Sequence, residues 1–256
     1  MSLTVATSVI GKSVAKTVVK KFGGAVVERW TRYRADRFFE GFVETVGIEF
    51  STGVETDEVD RRLTAILADD TKSEVLFDAY RRVCFSKSKT LGPRIIGLLT
   101  GQLVHEGRMA DYTEERVFEA AELLSDGEFI EFMKGYQEHR KKAEGITDLK
   151  AEHCMLGDSV IVRWSEESSD SSSRFGSELD IGPFPWEEAL GRWAVTLKAT
   201  GLLEERVRQR SQQHSRPHED EQVTSTSVTT TITFCSGCAR LYELLSRSLG
   251  PETTAG

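Results

Sequence analysis

The chain has 256 residues, with 33 Lys and Arg against 41 Asp and Glu for a net charge of -8, and 39% of it is hydrophobic. That is an ordinary globular composition with room for one large domain or two small ones. Its apolar runs, such as residues 24–27 and 95–99, fall far short of the roughly 18 residues that cross a bilayer. Four cysteines do not make a disulfide scaffold and no cleavable apolar leader opens the sequence, so a cytoplasmic, reducing compartment is the expectation.

Charge is unevenly spread. Residues 1–37 sum to +6 and the other 219 to -14. Lys12, Lys16 and Lys20 recur every fourth residue on one helix face, while Leu3, Ala6, Ile10, Val14 and Val18 follow similar spacing on another. Gly23 and Gly24 break this helix, and a second runs through Trp30, Phe38, Phe39, Phe42, Val43 and Val46. Residues 1–50 therefore read as a basic amphipathic helical segment. Its Lys12, Lys16, Lys20, Lys21, Arg29 and Arg32 are candidates for contact with a protein partner's acidic face or, peripherally, with an anionic membrane. Packing against the acidic remainder of its own chain is the plainer alternative.

Over residues 54–142 the period is helical, and a helical bundle is expected. Val59, Leu63, Ile66 and Leu67 form one stripe and Leu76, Ala79, Tyr80 and Val83 the next, with Thr71 and Glu74 as a capping box between them. Residues 95–104 are apolar on most sides, as in a central buried helix. Asp111 with Glu114 and Ser125 with Glu128 start two further helices.

Residues 143–183 read as an acidic, Ser-rich insertion. Only residues 159–164 have a β-prone core there, and residues 165–180 hold too little apolar surface to offset their ordering entropy. Beyond it, Pro185 opens a helix in which Trp186, Leu190, Trp193 and Leu197 form a buried stripe, closed by Gly201. A charged loop follows. Val228, Thr230, Ile232 and Phe234 then alternate with Thr229, Thr231 and Thr233 in a strand with one apolar face, and residues 239–249 make a last helix.

The order of helices at 114–124, 126–141 and 185–200, then Gly-Leu-Leu, charged loop, strand and helix, resembles a winged helix beginning near residue 112 and including residues 184–249. More loosely, a helical front half joined to such a tail is similar to bacterial abortive-infection alpha-type proteins. The first resemblance implies a β-hairpin wing and the second a phage-defence role. A winged helix reads DNA with its third helix, yet Glu187, Glu188, Arg192 and Lys198 cancel there. In the wing, Arg206, Arg208 and Arg210 are the candidate DNA-binding residues, opposed by Glu204, Glu205, Glu219, Asp220 and Glu221.

Catalytic motifs fail on context. Residues 6–13 satisfy a permissive phosphate-loop pattern but lack the strand and acidic partner that nucleotide binding needs. Cys235 and Cys238 flank a strand-to-helix junction where helix amides lower a thiol pKa. As a zinc half-site they need His153 and Cys154 to complete four ligands. His105 and His139 are lone histidines with a helix-end or solvent-facing role. The resulting expectation is a mainly α protein, an N-terminal helical bundle with a C-terminal winged-helix-like α+β domain. It is expected to be a non-enzymatic interaction or regulatory protein of a bacterial cell, without cofactor, acting through a protein partner and assembling as an oligomer. A DNA-binding regulator and a membrane-associating effector are the alternatives.

Overall fold

The computed structural model describes residues 32–46, 61, 64–170, 184–215 and 222–250. Lys12, Lys16, Lys20, Lys21 and Arg29 lie outside them. The fold is mainly helical, with a four-stranded antiparallel sheet toward the C-terminus. No helix among the described residues is long and apolar enough to cross a membrane. The chain divides into two compact units, Met1–Met133 with Arg240–Gly256, and Lys134–Ala239.

The first unit holds α1 (Arg32–Thr45), α2 (Asp70–Phe85), α3 (Leu91–Glu106) and α4 (Tyr112–Leu123), with parts of α5 (Asp126–Ala143) and α8 (Ser236–Leu249). Along α3 the side chains of Leu91, Ile95, Ile96, Leu98, Leu99, Leu103 and Val104 are all buried, so it is the central helix that its unpatterned hydrophobicity predicts. Against it lies α1, whose Phe38, Phe39 and Phe42 are buried. The two backbones come close because glycine occupies the crossing. A Cβ added at Gly97 would stand 2.0 Å from the Phe38 carbonyl oxygen, one at Gly101 2.7 Å from that of Phe42, and one at Gly41 2.4 Å from that of Arg94.

Two of the three expected capping boxes form. Asp111 accepts from the Glu114 amide while the Glu114 carboxylate accepts from the Asp111 amide. At α5 the Glu128 carboxylate accepts from the amide and hydroxyl of Ser125, and the Ser125 hydroxyl accepts from the Glu128 amide. Burial opposes the Glu128 charge, but Lys87 at 2.8 Å and Ser125 outweigh it and hold the carboxyl down at about 2. The third box is corrected. Asp69, not Thr71, caps α2 by accepting from the Lys72 amide, and Thr71 lies within the first turn. A carboxylate at that position satisfies an orphan amide and also favours the positive end of the helix dipole. Asp126 has a role no local pattern shows. It accepts from the amides of Lys89, Thr90 and Leu91 and from the Ser88 hydroxyl, capping α3 from the start of α5.

The second unit contains β1 (His153–Leu156), β2 (Ser159–Asp170), α6 (Trp186–Ala189), α7 (Arg192–Ala199), β3 (Leu203–Ser215) and β4 (Gln222–Phe234), in the sheet order β1-β2-β4-β3. Three sequence expectations change here. The acidic insertion of 143–183 begins as sheet: β2 continues to Asp170 and pairs from Val160 opposite Phe234 to Asp170 opposite Thr224. The charged loop after Leu203 is β3, paired along its length with β4. Both polar segments are ordered by the Thr-rich strand β4, distant from β2 in sequence and next in line after β3, which supplies ladder hydrogen bonds that local composition does not register. The expected helix over 185–200 is split at Gly191, whose φ of 101° no helix accommodates. Trp186, Trp193 and Leu197 are nonetheless buried, with Leu190 at the margin. Gly201 ends α7 as expected: Leu202 donates to the Leu197 carbonyl and Gly201 to that of Lys198, a Schellman closure.

Candidate functional site

The sheet of the second unit has two unlike faces. Because side chains alternate along a strand, Val160 and Val162 of β2, Val228, Thr230, Ile232 and Phe234 of β4, and Leu203 of β3 share one face, and all are buried. Tyr136, Trp193 and Phe234 pack there, with ring centroids 5.7 Å (Tyr136) and 6.2 Å (Trp193) from Phe234. The opposite face is polar and cationic. Register places Arg163, Thr231 and Arg206 in one row across β2, β4 and β3, Ser165, Thr229 and Arg208 in the next, and Glu167, Ser227 and Arg210 in the third. Arg206, Arg208 and Arg210 are exposed.

These arginines stand on β3, an edge strand. Two-residue spacing sets them about 7 Å apart. Arg163 is engaged, donating to the Ala151 carbonyl at 2.8 Å. Arg206 reaches Glu204 only at 3.9 Å, and among the described residues Arg208 and Arg210 form no ion pair. The arginines singled out from sequence therefore share one face of β3. Arg32 opens α1 in the other unit.

The helices α6 and α7 do not add to this cationic surface. Lys198 of α7 donates to Glu205 and lies 4.5 Å from the Trp186 ring centroid. Arg192 is exposed, close in sequence to the exposed carboxylates Glu187 and Glu188. Net attraction for phosphates is small there.

The four-residue zinc set does not assemble. His153 and Cys154 are successive residues of β1 and so point to opposite faces. Cys154 is buried, and the Cys238 thiol, also buried, lies 3.3 Å from the Leu202 carbonyl. Among the described residues no three His, Cys, Asp or Glu side chains gather to hold a metal ion. Burial, with Cys235 beside it, pushes the Cys238 thiol well above its ordinary range, the reverse of the lowering that helix amides would give at this junction.

His153 instead meets His139, which is no lone histidine. His139 Nδ1 and His153 Nε2 are 3.2 Å apart and the rings stack 5.4 Å apart, with Trp164 and Phe234 against His139. Burial first, then the positive charges of His153 and Lys142, push His139 down to about 4, opposed weakly by Glu138. Neutral His139 thus contributes stability fully above the ordinary value of 6.5, and that contribution is lost as pH falls from there toward 4. Between pH 6.5 and 5, unfolding free energy should fall by on the order of 1 kcal/mol more in the wild type than in His139→Phe, after discounting for solvent screening. Parallel urea titrations of the two proteins would show it, and equal slopes would refute it.

Sequence patterns also passed over an exposed aromatic face in the first unit. On α2 the buried stripe is Val75, Leu76, Ala79 and Val83, which leaves Phe77 and Phe85 outward and 61% and 70% exposed. Their signal was their eight-residue spacing off that stripe. Compared with known proteins, the chain matches no family model, no curated protein and no solved structure.

Proposed function

We propose that this chain is a non-enzymatic binding protein of a bacterial cell that acts through contacts with another protein, presented on the β3–β4 hairpin as the wing of a winged-helix-like domain. The observation that carries the reading is the row of Arg206, Arg208 and Arg210 exposed on an edge strand, two of them without an ion pair among the described residues. Ion pairs and hydrogen bonds held in reserve in this way give specificity and a steered on-rate when a complementary surface arrives. In the first unit, exposed Phe77 and Phe85 are a separate apolar feature of the kind protein interfaces bury. The balanced charge of α6 and α7 favours a protein over a nucleic acid as partner, and a phage-defence setting remains the biological context proposed for it.

The test is affinity capture with wild-type protein and R206E/R208E/R210E, with nuclease present, followed by reconstitution of the captured protein from pure components. Light scattering on size exclusion should show a complex with the wild type and at least about tenfold weaker association with the variant. A complex that dissolves under nuclease, or that the variant forms equally well, would overturn the reading.

A further inference from the structure

We infer that the partner docks as an extended acidic segment that adds a fifth strand to the outer edge of β3, with its carboxylates on the arginine face; this rests on the protein-contact reading above.

Among the described residues, β3 pairs on one side only, with β4. Its other side offers main-chain donors and acceptors to an incoming strand, and such an edge is a template for pairing. The side chains along that edge alternate between the two faces. Arg206, Arg208 and Arg210 follow Glu204 on one face, and Val207, between the first two arginines, lies 52% exposed on the other, ahead of Gln209. An added strand places its own residues directly beside these, so the matching sequence alternates acid and apolar residue, carboxylates facing the guanidiniums and an aliphatic side chain covering Val207. Charge-assisted hydrogen bonds from the guanidiniums supply strength, and the ladder fixes register.

Two other occupants fit less well. A second copy pairing β3 to β3 would set arginine against arginine across the new ladder, which like-charge repulsion disfavours. A nucleic acid would satisfy the guanidiniums but leave the main-chain edge and Val207 unused.

The experiment uses the full chain and short fluorescent peptides. A peptide alternating Glu and Val should bind in a salt-dependent manner. A block isomer of the same composition, and an alternating peptide N-methylated at every second amide, should each bind at least about tenfold more weakly, because one loses register and the other its main-chain donors. R206E/R208E/R210E should lose the acidic peptide and take up one alternating Lys and Val, with an unchanged melting midpoint since all three residues are exposed. Should that variant unfold, the N-methylated peptide on wild-type protein still decides the matter. Equal binding of the block or N-methylated peptide, or no binding of the alternating one, overturns strand addition while leaving the reconstituted complex to judge the protein-contact reading. Tighter binding of single-stranded DNA that is lost in the variant overturns both.

Discussion

Replacing Trp193 with alanine is expected to lower the unfolding free energy by about 3 to 5 kcal/mol, the range for truncating a buried large aromatic. The indole is 2% exposed. Its site has little freedom to collapse. Phe234 on one side, at the end of the inner strand β4, is held by pairing with both Val160 and Leu203. Gly135 on another is a helix position where an added Cβ would come within 3.0 Å of the Trp193 ring, so the backbone there is already in contact. Leu197, one turn on, is fixed by the Schellman closure at Gly201. A cavity bounded by such rigid walls keeps most of its cost. Urea unfolding should show a lower midpoint with an unchanged slope, while binding of the alternating peptide proposed for the β3 edge survives at low temperature. An unchanged midpoint with lost binding would make Trp193 a ligand contact instead of core.

Gly97→Ala should cost about 3 kcal/mol, at the upper end for an overpacked site. Helix propensity alone predicts the opposite, because alanine is the better helix former by about 1 kcal/mol. The steric effect wins because the added methyl would lie 2.0 Å from a backbone oxygen of α1, which has no rotamer to change, and the two helices must separate. Gly127→Ala is the internal control. Nothing lies within 4 Å of a Cβ at that helical position, so stability should rise by about 0.5 kcal/mol. If Gly97→Ala melts with the wild type, the close crossing of α1 and α3 is not what holds this unit together.

What the sequence disclosed follows the range of the interactions involved. The caps at Asp111 and Ser125, the all-round hydrophobicity of α3 and the Gly201 closure are set within a few residues, and periodicity and capping pairs exposed them. The two-residue spacing of Arg206, Arg208 and Arg210 was visible too, though only the pairing of β3 with β4 turns that spacing into a shared face. Other features depend on residues far apart in the chain. The polar run of β2 is ordered by a strand some sixty residues later, as Ser165 opposite Thr229 shows. His139 meets His153 across a turn and a change from helix to strand, and Asp126 serves amides at 89–91. Gly97 and Gly101, four apart in an apolar helix, were the one legible long-range signal left unread, since that spacing permits close helix approach.

The way the two units share the chain also sets the order in which they can be completed. The first unit is assembled from both ends of the sequence: Arg240 donates to Gln102, and Arg247 lies 3.4 Å from Glu44. A nascent chain leaves the ribosome N-terminus first, so every residue of the second unit is synthesised before Leu241, Leu244 and Leu245 become available to fill the first. Until then the apolar surface those leucines cover stands open. Truncation by a stop codon anywhere in the second unit therefore damages the unit that was made earlier, and a chaperone that recognises exposed apolar helices would find its target there during translation.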